Sequence, residues 1–396
     1  MAQHSYTFSW PTTLECGPGA TARAAERVGQ YGRRVLWVYG RASLQRSGLH
    51  ARLSRQLAAY GLAVCEVGGI GTNPLLSQVQ AGVTAGRAFG ADVVFTSGGG
   101  SVMDAGKAMA AGIAEDADLW AAFQQHRQIV AALPIVALVT LPATGSEMND
   151  VAVVTHDTTR DKLVASSPAL YPRHAILDPE LTLDLPLPLT MGGVADLISH
   201  VVELYFDGSR SPLVDRFGEQ IVAAAIAAAR RVHADPRNLE ARTTLMHCAT
   251  FALNGLLAFG KHGGDWSSHR IEHAMSALYD VHHGTGLAVV LPTWMAWAAE
   301  HVPEPFARFA LGVFGETVRG VTIADTARAG ILRLRAFYRD VGLPTTLEGL
   351  GLERSQIPAL VEKAGQMRPY PYGALCAIGP TEATAILERI ADWGEQ

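Results

Sequence analysis

Residues 91–107 of the chain are ADVVFTSGGGSVMDAGK, a β-branched and aromatic run that ends in three glycines and continues in a helix-like pattern. Such an apolar run is typical of a buried strand. Glycines directly after a strand let a ligand approach the backbone closely, and the N–H groups at the start of the following helix bind anions. The spacing is not the GxGxxG of the usual Rossmann fingerprint. On its own, the turn therefore fits a pyrophosphate cradle and a simple tight turn about equally well.

Strand and helix signals alternate on both sides of this turn. Strand-like runs occupy Arg33–Gly40 (RRVLWVYG), Gly61–Val67 (GLAVCEV) and the start of Ile135–Glu147 (IVALVTLPATGSE), and Thr72–Gly90 has a helical pattern. Strands separated by helices of this length predict βαβ units and a parallel sheet with both faces covered. We therefore expect an α/β dinucleotide-binding domain over residues 1–187. The proline-rich segment His174–Pro188 is interpreted as the link out of this domain.

The pattern changes in the second half of the chain. Segments from Leu189 to Gly342 repeatedly place apolar residues at helical spacing, for example LTMGGVADLISHVVELYF and PLVDRFGEQIVAAAIAAARRV, and almost none of them alternates like a strand. The sequence therefore predicts an all-helical domain over residues 188–396. The expected fold class is an α/β domain with a parallel sheet followed by an all-α domain.

Composition excludes several classes of protein. The 396 residues are 48% hydrophobic and 17% charged, which is typical of a well-packed globular protein. The net charge of −5, without a long basic run, argues against nucleic acid as a partner. The most apolar tract, Ile221–Ala229, is too short to span a membrane. Scattered cysteines without a CxxC pair, and an N-terminus without a signal-peptide pattern, predict a cytoplasmic protein.

A second polar stretch, Leu141–Asn149 (LPATGSEMN), also directly follows a predicted strand. Thr144 and Ser146 supply hydroxyls, Gly145 allows close approach, and Asn149 adds an amide. Open α/β sheets bind ligands at the carboxyl ends of their strands. The alternative is a loop of helix-capping residues. Beside the glycine-rich turn, the ligand-binding interpretation is favoured.

Aspartate and histidine spacing indicates a metal site. Asp196 and His200 lie four residues apart in a helical segment, as do His269 and His273, so that each pair projects from one helix face. One carboxylate with several imidazoles suits Zn²⁺ or Fe²⁺. A single such pair is weak support, because most are exposed or hydrogen-bonded. Two pairs on two apolar helices favour a metal.

The segment Asp265–Gly286, DWSSHRIEHAMSALYDVHHGTG, also contains His282 and His283. Neighbouring residues rarely bind the same ion, so at most one of these two histidines is expected to be a ligand. Spacing alone does not identify which one.

Four motifs together resemble one known family. GGGSVMDAGK, LPATGSEMN, GGVADLISHVVELY and SSHRIEHAMSALYDVHHGTGLAVVLP resemble the iron-containing (group III) alcohol dehydrogenases, in particular the branch of NADPH-dependent aldehyde reductases and butanol dehydrogenases. The resemblance covers roughly residues 10–390, and its motifs recur in the same order at matching intervals.

The resemblance implies a specific set of metal ligands. The family uses an Asp and a His four residues apart and then two His fourteen apart, which correspond to Asp196, His200, His269 and His283. His273 matches a further histidine of the family, near the nicotinamide, that is not a ligand and is the expected catalytic residue here. The intact ligand set argues against the metal-free maleylacetate reductases of the same fold.

The resemblance also implies a set of cofactor contacts. The pyrophosphate contacts are Gly98, Gly99, Gly100 and Ser101, and the other expected contacts are Asp104, Thr140, Thr144, Asn149 and Lys162. NAD-preferring members have an Asp after the first strand, where this chain has VYGRAS. Gly40 and Arg41, with Ser43 beside them, would not repel a 2′-phosphate, so we expect NADP(H) to be preferred over NAD(H).

The expected reaction is reversible hydride transfer between NADP(H) and a small aldehyde or primary alcohol, with one divalent metal, Fe²⁺ or Zn²⁺, polarising the carbonyl oxygen. The resemblance also implies a homodimer. The alternatives are a polyol (glycerol-type) dehydrogenase or a lyase on the same scaffold, and a metal- and nucleotide-binding protein without turnover.

Overall fold

The computed structural model describes residues 8–115, 117–315 and 322–393. Most of the amino-terminal stretch considered above for a signal peptide lies outside these residues. The chain forms two compact units. The N-terminal unit is Ser9–Leu185, and the C-terminal unit is Pro186–Gln396 together with Met1–Phe8.

The N-terminal unit alternates strands and helices. Its strands are β1 (Thr13–Cys16), β2 (Arg34–Gly40), β3 (Ala63–Ile70), β4 (Val93–Gly98), β5 (Ile135–Val139), β6 (Val151–Thr155), β7 (Lys162–Ser166) and β8 (His174–Leu177). Its α-helices are α1 (Ala24–Gly29), α2 (Ser43–Arg46), α3 (Leu49–Ala59), α4 (Leu76–Phe89), α5 (Gly100–Ala114) and α6 (Leu119–Gln124). Among the described residues, six strands form a parallel sheet in the order β1-β8-β5-β4-β2-β3.

Both faces of this sheet are buried. On β2, Val35 and Trp37 belong to one apolar cluster, whereas Leu36 and Val38 belong to another. Successive side chains of a strand point to opposite faces, so the continuous apolar run of β2 supplies both layers. β4 is buried along its whole length and ends at Gly98, directly before α5.

The N-terminal unit contains strands that the sequence analysis did not predict. The segment interpreted as a link begins with β8, which lies between β1 and β5 in the sheet. β8 has only four residues and is followed by Pro179, so its apolar run is too short to stand out from a loop. The antiparallel hairpin of β6 and β7 was not predicted either.

The C-terminal unit is built from helices. They are α7 (Leu187–Tyr205), α8 (Pro212–Ala234), α9 (Leu239–Ala252), α10 (Ser267–Tyr279), α11 (His283–His301), α12 (Pro303–Phe314), α13 (Ile323–Asp340), α14 (Ile357–Met367) and α15 (Pro380–Asp392). Among the described residues of this unit, the only β pairing is a bridge between Tyr372 and Ile378. The predicted fold class, a parallel α/β domain followed by a helical domain, is confirmed.

The helix α7 runs through the core of the C-terminal unit, and its residues from Thr190 to Tyr205 are all buried. Among the described residues, α7 is the one helix whose length and apolar composition would suit a membrane span, and 83% of that window is buried inside the protein. The polar side chains of α7 are therefore buried, and each needs a polar partner within the protein or a bound ligand.

Candidate metal centre and nucleotide-binding turn

Three helices of the C-terminal unit bring the predicted metal ligands together. Asp196 and His200 lie one turn apart on α7, His269 lies in the first turn of α10, and His283 is the first residue of α11. The start of α11 lies directly against α7, close enough that a Cβ at Gly284 would collide with the Gly192 carbonyl. Glycine at this position therefore permits the close approach of the two backbones.

The donor atoms of these four residues are close neighbours. Possible ligand atoms of Asp196, His200 and His269 all lie within 4.8 Å of one another. The Oδ1 atom of Asp196 is 3.7 Å from Nε2 of His200 and 3.5 Å from Nε2 of His283. The rings of His269 and His283 are 5.2 Å apart between centroids. Asp196, His200 and His269 thus form one group of possible ligand atoms, and His283 lies beside it through Asp196.

The cluster fits a divalent ion. Two donor atoms about 2.1 Å from a tetrahedral ion lie about 3.4 Å apart, close to the two distances from Asp196. Nε2 of His269 and Nδ1 of His200 are buried and have no hydrogen-bond partner among the described residues. Burying an unpartnered polar atom is unfavourable, and a metal ion would compensate Nε2 of His269, whereas His200 faces Asp196 through its Nε2. Burial, together with His269 and His283, lowers the pKa of His200 well below its usual value, so its ring is in the neutral, ligating form.

Two buried glutamates stand behind the histidines. Oε2 of Glu203, on α7, is 2.9 Å from Nδ1 of His269, and Glu272, on α10, makes a short contact with Nδ1 of His283. Burial by itself lowers the pKa of His269, but the Glu203 carboxylate raises it above the ordinary value. Sequence analysis missed both glutamates. Helical spacing could have found them, because each follows a predicted ligand, His200 or His269, by three residues.

The other two histidines of this segment have different surroundings. The His273 ring lies 6.1 Å from that of His269 and 5.4 Å from that of His283. Possible ligand atoms of His273, Glu272 and His283 lie within 4.8 Å of one another, in a group that does not include Asp196. His282 precedes α11, and its Nδ1 is 3.1 Å from the Thr285 hydroxyl. Its ring packs near Gly192.

In the N-terminal unit, the glycine-rich turn is shaped by tight packing. Gly99 precedes α5, and a Cβ at Gly100 would collide with the Thr144 side chain. The N–H of Thr140 donates to the Gly98 carbonyl at 2.9 Å, and the Ser101 hydroxyl donates to the Thr72 carbonyl at 2.5 Å. The turn and the loop after β5 are therefore adjacent. The first N–H groups of the 15-residue helix α5 lie at this turn, and helix N-termini are able to bind anions.

Asp104 and Asn149, both predicted as cofactor contacts, have buried partners within the protein. Asp104 accepts from the Ser146 hydroxyl at 2.7 Å and from the Val153 N–H at 3.2 Å. Asn149 accepts from Nζ of Lys107 at 2.9 Å through both its carbonyl and its side-chain oxygen. The structure thus gives both residues a role in holding the loop.

Lys107 is fully buried and was missed as a functional candidate. Its Nζ also donates to the Val151 carbonyl at 2.8 Å, so that this one ammonium ties α5 to the loop and to β6. Burial raises the pKa of Asp104 to about 6 and lowers that of Lys107 to about 8, although their mutual attraction opposes both shifts. Lys162, the first residue of β7, is also buried and lowers the pKa of Asp104 electrostatically.

The predicted 2′-phosphate contacts lie at the end of β2. Gly40 is the last residue of β2, Arg41 is exposed, and the exposed Ser43 begins α2. A Cβ at Gly40 would make only ordinary contacts, 3.6 Å from Val102 and 3.8 Å from the Ile70 carbonyl. This position therefore has room for a Cβ atom.

A parallel α/β unit with a glycine-rich turn, and a helical unit with an Asp–His cluster, define a class of metal-dependent dehydrogenases. Residues 11–179 match the family model of iron-containing alcohol dehydrogenase, and residues 190–378 match the C-terminal model of the Fe-containing alcohol dehydrogenase family. The chain belongs to the iron-containing alcohol dehydrogenase family, which confirms the resemblance inferred from its motifs.

Individual relatives are similar over nearly the whole chain. A probable NADH-dependent butanol dehydrogenase 1 of Bacillus subtilis is 37% identical over 97% of this chain and 99% of its own length. The NADPH-dependent aldehyde reductase YqhD of Escherichia coli is 35% identical over 91% and 92%. The crystal structure of NADH-dependent butanol dehydrogenase A from Thermotoga maritima has a TM-score of 0.93 and 35% identity, covering 98% of this chain and 99% of that one. The protein is an alcohol or aldehyde oxidoreductase, and its family implies a nicotinamide cofactor and a metal.

Proposed function

We propose that the protein interconverts small aldehydes and primary alcohols with NADP(H) and one divalent metal, Fe²⁺ or Zn²⁺. The observation that carries this proposal is the cluster of Asp196, His200 and His269, with His283 3.5 Å from Asp196 and with Nε2 of His269 buried and unpartnered among the described residues. These four residues hold the ion. When bound, the ion supplies a Lewis acid for the carbonyl oxygen, and the reduced nicotinamide supplies the hydride.

The chain's own residues bind the cofactor, hold the cofactor-binding loop and transfer a proton. The N-terminal unit binds pyrophosphate at Gly98–Ser101, where Thr140 and Thr144 contact the same turn, and Lys162 acts electrostatically on Asp104. Asp104 and Asn149 act there by holding the loop that packs on Gly100. In the C-terminal unit, His273 passes a proton towards the oxygen of the reacting substrate. Its position one helical turn after His269 supports this role, and an imidazole titrates near neutral pH.

The preference for NADP(H) over NAD(H) rests on Gly40, Arg41 and Ser43. The names of the relatives differ on this point, since two are NADH-dependent and one is NADPH-dependent. The exposed Arg41 is available to pair with a 2′-phosphate, and a charge-assisted pair is worth about 1.5–3 kcal/mol, or about ten- to a hundred-fold in affinity.

Substitution at Gly40 tests this preference. Gly40→Asp should shift the ratio of kcat/KM towards NAD(H) by about ten-fold or more, because its carboxylate would repel the phosphate and accept from the ribose hydroxyl. Gly40→Ala is the matched control, since its Cβ fits at ordinary contact distance. Equal efficiency of the unmodified enzyme with both cofactors would overturn the proposed preference.

Two further parts of the proposal concern the setting of the enzyme. We infer a homodimer that acts in the cytoplasm, with a small aldehyde or alcohol as its partner molecule and neither nucleic acid nor a membrane. The family resemblance supports the dimer, and the net charge of −5 without a basic run supports the absence of nucleic acid. Light scattering of the purified protein tests the dimer.

A cofactor-by-substrate screen on metal-reconstituted protein tests the reaction. Short aldehydes should oxidise NADPH, and primary alcohols should reduce NADP⁺. The metal-free protein and a His269→Ala variant serve as controls and should be inactive. The panel includes glycerol, because activity with glycerol alone would indicate a polyol dehydrogenase. No oxidation of either cofactor by any aldehyde would overturn the proposed function.

A further inference from the structure

We propose that Glu203 and Glu272 are positioning residues that set the orientation of two metal-binding histidines. Each carboxylate holds Nδ1 of one histidine and leaves Nε2 of that ring for the ion. This inference rests on the proposed metal site, and it adds two residues that lie outside the predicted ligand set.

Glu203 connects α7 to the first turn of α10. Its Oε1 accepts from the backbone N–H of Ser268 at 2.7 Å and from that of His269 at 3.2 Å. Its Oε2 lies 2.9 Å from Nδ1 of His269. The residue before α10, Trp266, provides no side-chain cap. One carboxylate therefore caps α10 and also fixes the ring of its ligand histidine relative to Asp196 and His200.

Glu272 makes the corresponding link between α10 and α11. Its carboxylate contacts Nδ1 of His283 and accepts from the Ser276 hydroxyl, both at short distance. The Ser276 hydroxyl also lies 2.9 Å from the Val281 carbonyl, in the turn that precedes α11. A Cβ at Gly286 would stand 2.8 Å from Cγ of Glu272, so glycine there leaves room for this side chain.

The two glutamates also set the charge around the ion. Glu203 and Glu272 have no exposed surface, and Asp196 is 3% exposed, so three carboxylates are buried around one cluster. A buried charge needs compensation, and a divalent cation supplies it for this group. A carboxylate that accepts from Nδ1–H also fixes the tautomer of the ring and raises the basicity of its other nitrogen.

His269 and His283 each have a carboxylate partner at Nδ1, and in this they differ from His200. Among the described residues, Nδ1 of His200 has no hydrogen-bond partner, and its ring stacks on His269 at 4.9 Å between centroids. His200 is thus held by its helix and its neighbours. The two ligands from α10 and α11 instead depend on a carboxylate for their orientation, so substitutions of the glutamates should affect those two ligands selectively.

The experiment is a metal titration of Glu203→Gln and Glu272→Gln. Full-length protein is stripped of metal and titrated with Zn²⁺ against a chromophoric chelator, and folding is checked by circular dichroism. Each variant should bind Zn²⁺ about 10- to 100-fold more weakly, as expected for residues that orient a ligand histidine. With Co²⁺ in place of Zn²⁺, the visible absorption spectrum should also shift, because the ligand geometry has changed.

Glu219→Gln is the matched control. Glu219 is a buried glutamate of α8 that contacts Tyr205 and Arg216 and takes no part in the cluster. Its substitution should leave the Zn²⁺ affinity and the Co²⁺ spectrum unchanged. If Glu203→Gln does not fold because α10 loses its cap, Glu272→Gln decides the question.

The outcomes separate this inference from the proposed function. Unchanged affinity and spectrum in folded Glu272→Gln, or in both variants, would overturn the positioning role while the metal site stands. Failure of the unmodified protein to bind one equivalent of Zn²⁺ or Co²⁺ would overturn the metal site itself. An equal loss of affinity in Glu219→Gln would attribute the effect to general destabilisation and would also overturn the inference.

Discussion

Four histidines within fifteen residues have four different surroundings. His269 contacts Glu203, His283 contacts Glu272 and faces Asp196, His273 lies near Glu272 and His283, and His282 contacts Thr285. Residue type and spacing alone could not distinguish His282 from His283. The difference arises from the turn before α11, which directs one ring towards Asp196 and the other towards Gly192.

This difference gives a prediction for a pair of adjacent residues. His283→Ala should lose stoichiometric metal and activity, because Nε2 of His283 lies 3.5 Å from Oδ1 of Asp196. His282→Ala should retain both, since His282 contacts Thr285 and takes no part in the cluster. Elemental analysis of the two purified variants measures the metal. Equal metal loss in both variants would contradict the assignment of His283, and not His282, as a metal ligand.

A second prediction concerns His273. His273→Ala should retain the metal and the fold but lower turnover by about 10²-fold and alter its pH profile, because a proton donor has been removed. The alternative is a histidine that packs within the helix bundle, and it predicts an unchanged rate and profile. Steady-state kinetics across pH, with metal analysis of the same sample, separates the two. Joint loss of metal and activity would make His273 a ligand.

The predicted part of the candidate site consists of residues whose type and spacing are distinctive in the sequence. Asp196 and His200 are such a pair, because both face one side of an apolar helix. Glu203, Glu272 and Lys107 were missed, because glutamate and lysine are common and usually exposed. Their roles depend on complete burial and on partners from other elements, which sequence spacing alone does not show.

At the level of elements, the neighbouring strands β5, β4, β2 and β3 were predicted, whereas β1, β6, β7 and β8 were not. β4 and α7 are apolar and buried along most of their length, so local composition specifies them. The four residues of β8 pair on both sides with β1 and β5, and these partners stabilise a strand that its own sequence does not indicate. The position of β8 in the sheet is therefore determined by pairing with segments that are distant in the sequence.

The junction of β4 and α5 provides a prediction at this scale. Gly100→Ala should weaken NADPH binding and reduce stability by about 1–3 kcal/mol, because its Cβ would collide with the Thr144 side chain and displace the turn. Nucleotide affinity is measured by fluorescence titration and stability by denaturant unfolding. Metal content should not change, since the ligands lie in the other unit.

The double variant Gly100→Ala/Thr144→Ala is the matched control for this prediction. Removing Cγ2 and Oγ1 of Thr144 eliminates the nearest contacts of the new Cβ. Adding Gly100→Ala to the Thr144→Ala variant should therefore cost less stability than adding it to the unmodified protein. If the two substitutions are simply additive, the collision with Thr144 does not explain the effect of Gly100→Ala.

On the scale of the whole molecule, the two proposed binding functions belong to different units. The nucleotide turn lies within Ser9–Leu185, and the four metal ligands lie within Pro186–Gln396. Within the C-terminal unit, α7 is both a core helix and the source of Asp196, His200 and Glu203. A site built on buried core residues links occupancy of the site to the stability of that unit.

Metal removal should therefore lower thermal stability. At an ion concentration about 1,000 times the Kd, binding stabilises the folded state by about 4 kcal/mol, which for a unit of this size corresponds to a Tm change on the order of 10 °C. The direction follows from structure, because the metal-free cluster has three buried carboxylates and an unpartnered ring nitrogen, Nε2 of His269. Scanning calorimetry with and without Zn²⁺ measures the shift, and His269→Ala is the control that should show none. An equal Zn²⁺-dependent shift in that variant would mean that the ion stabilises the protein from another site.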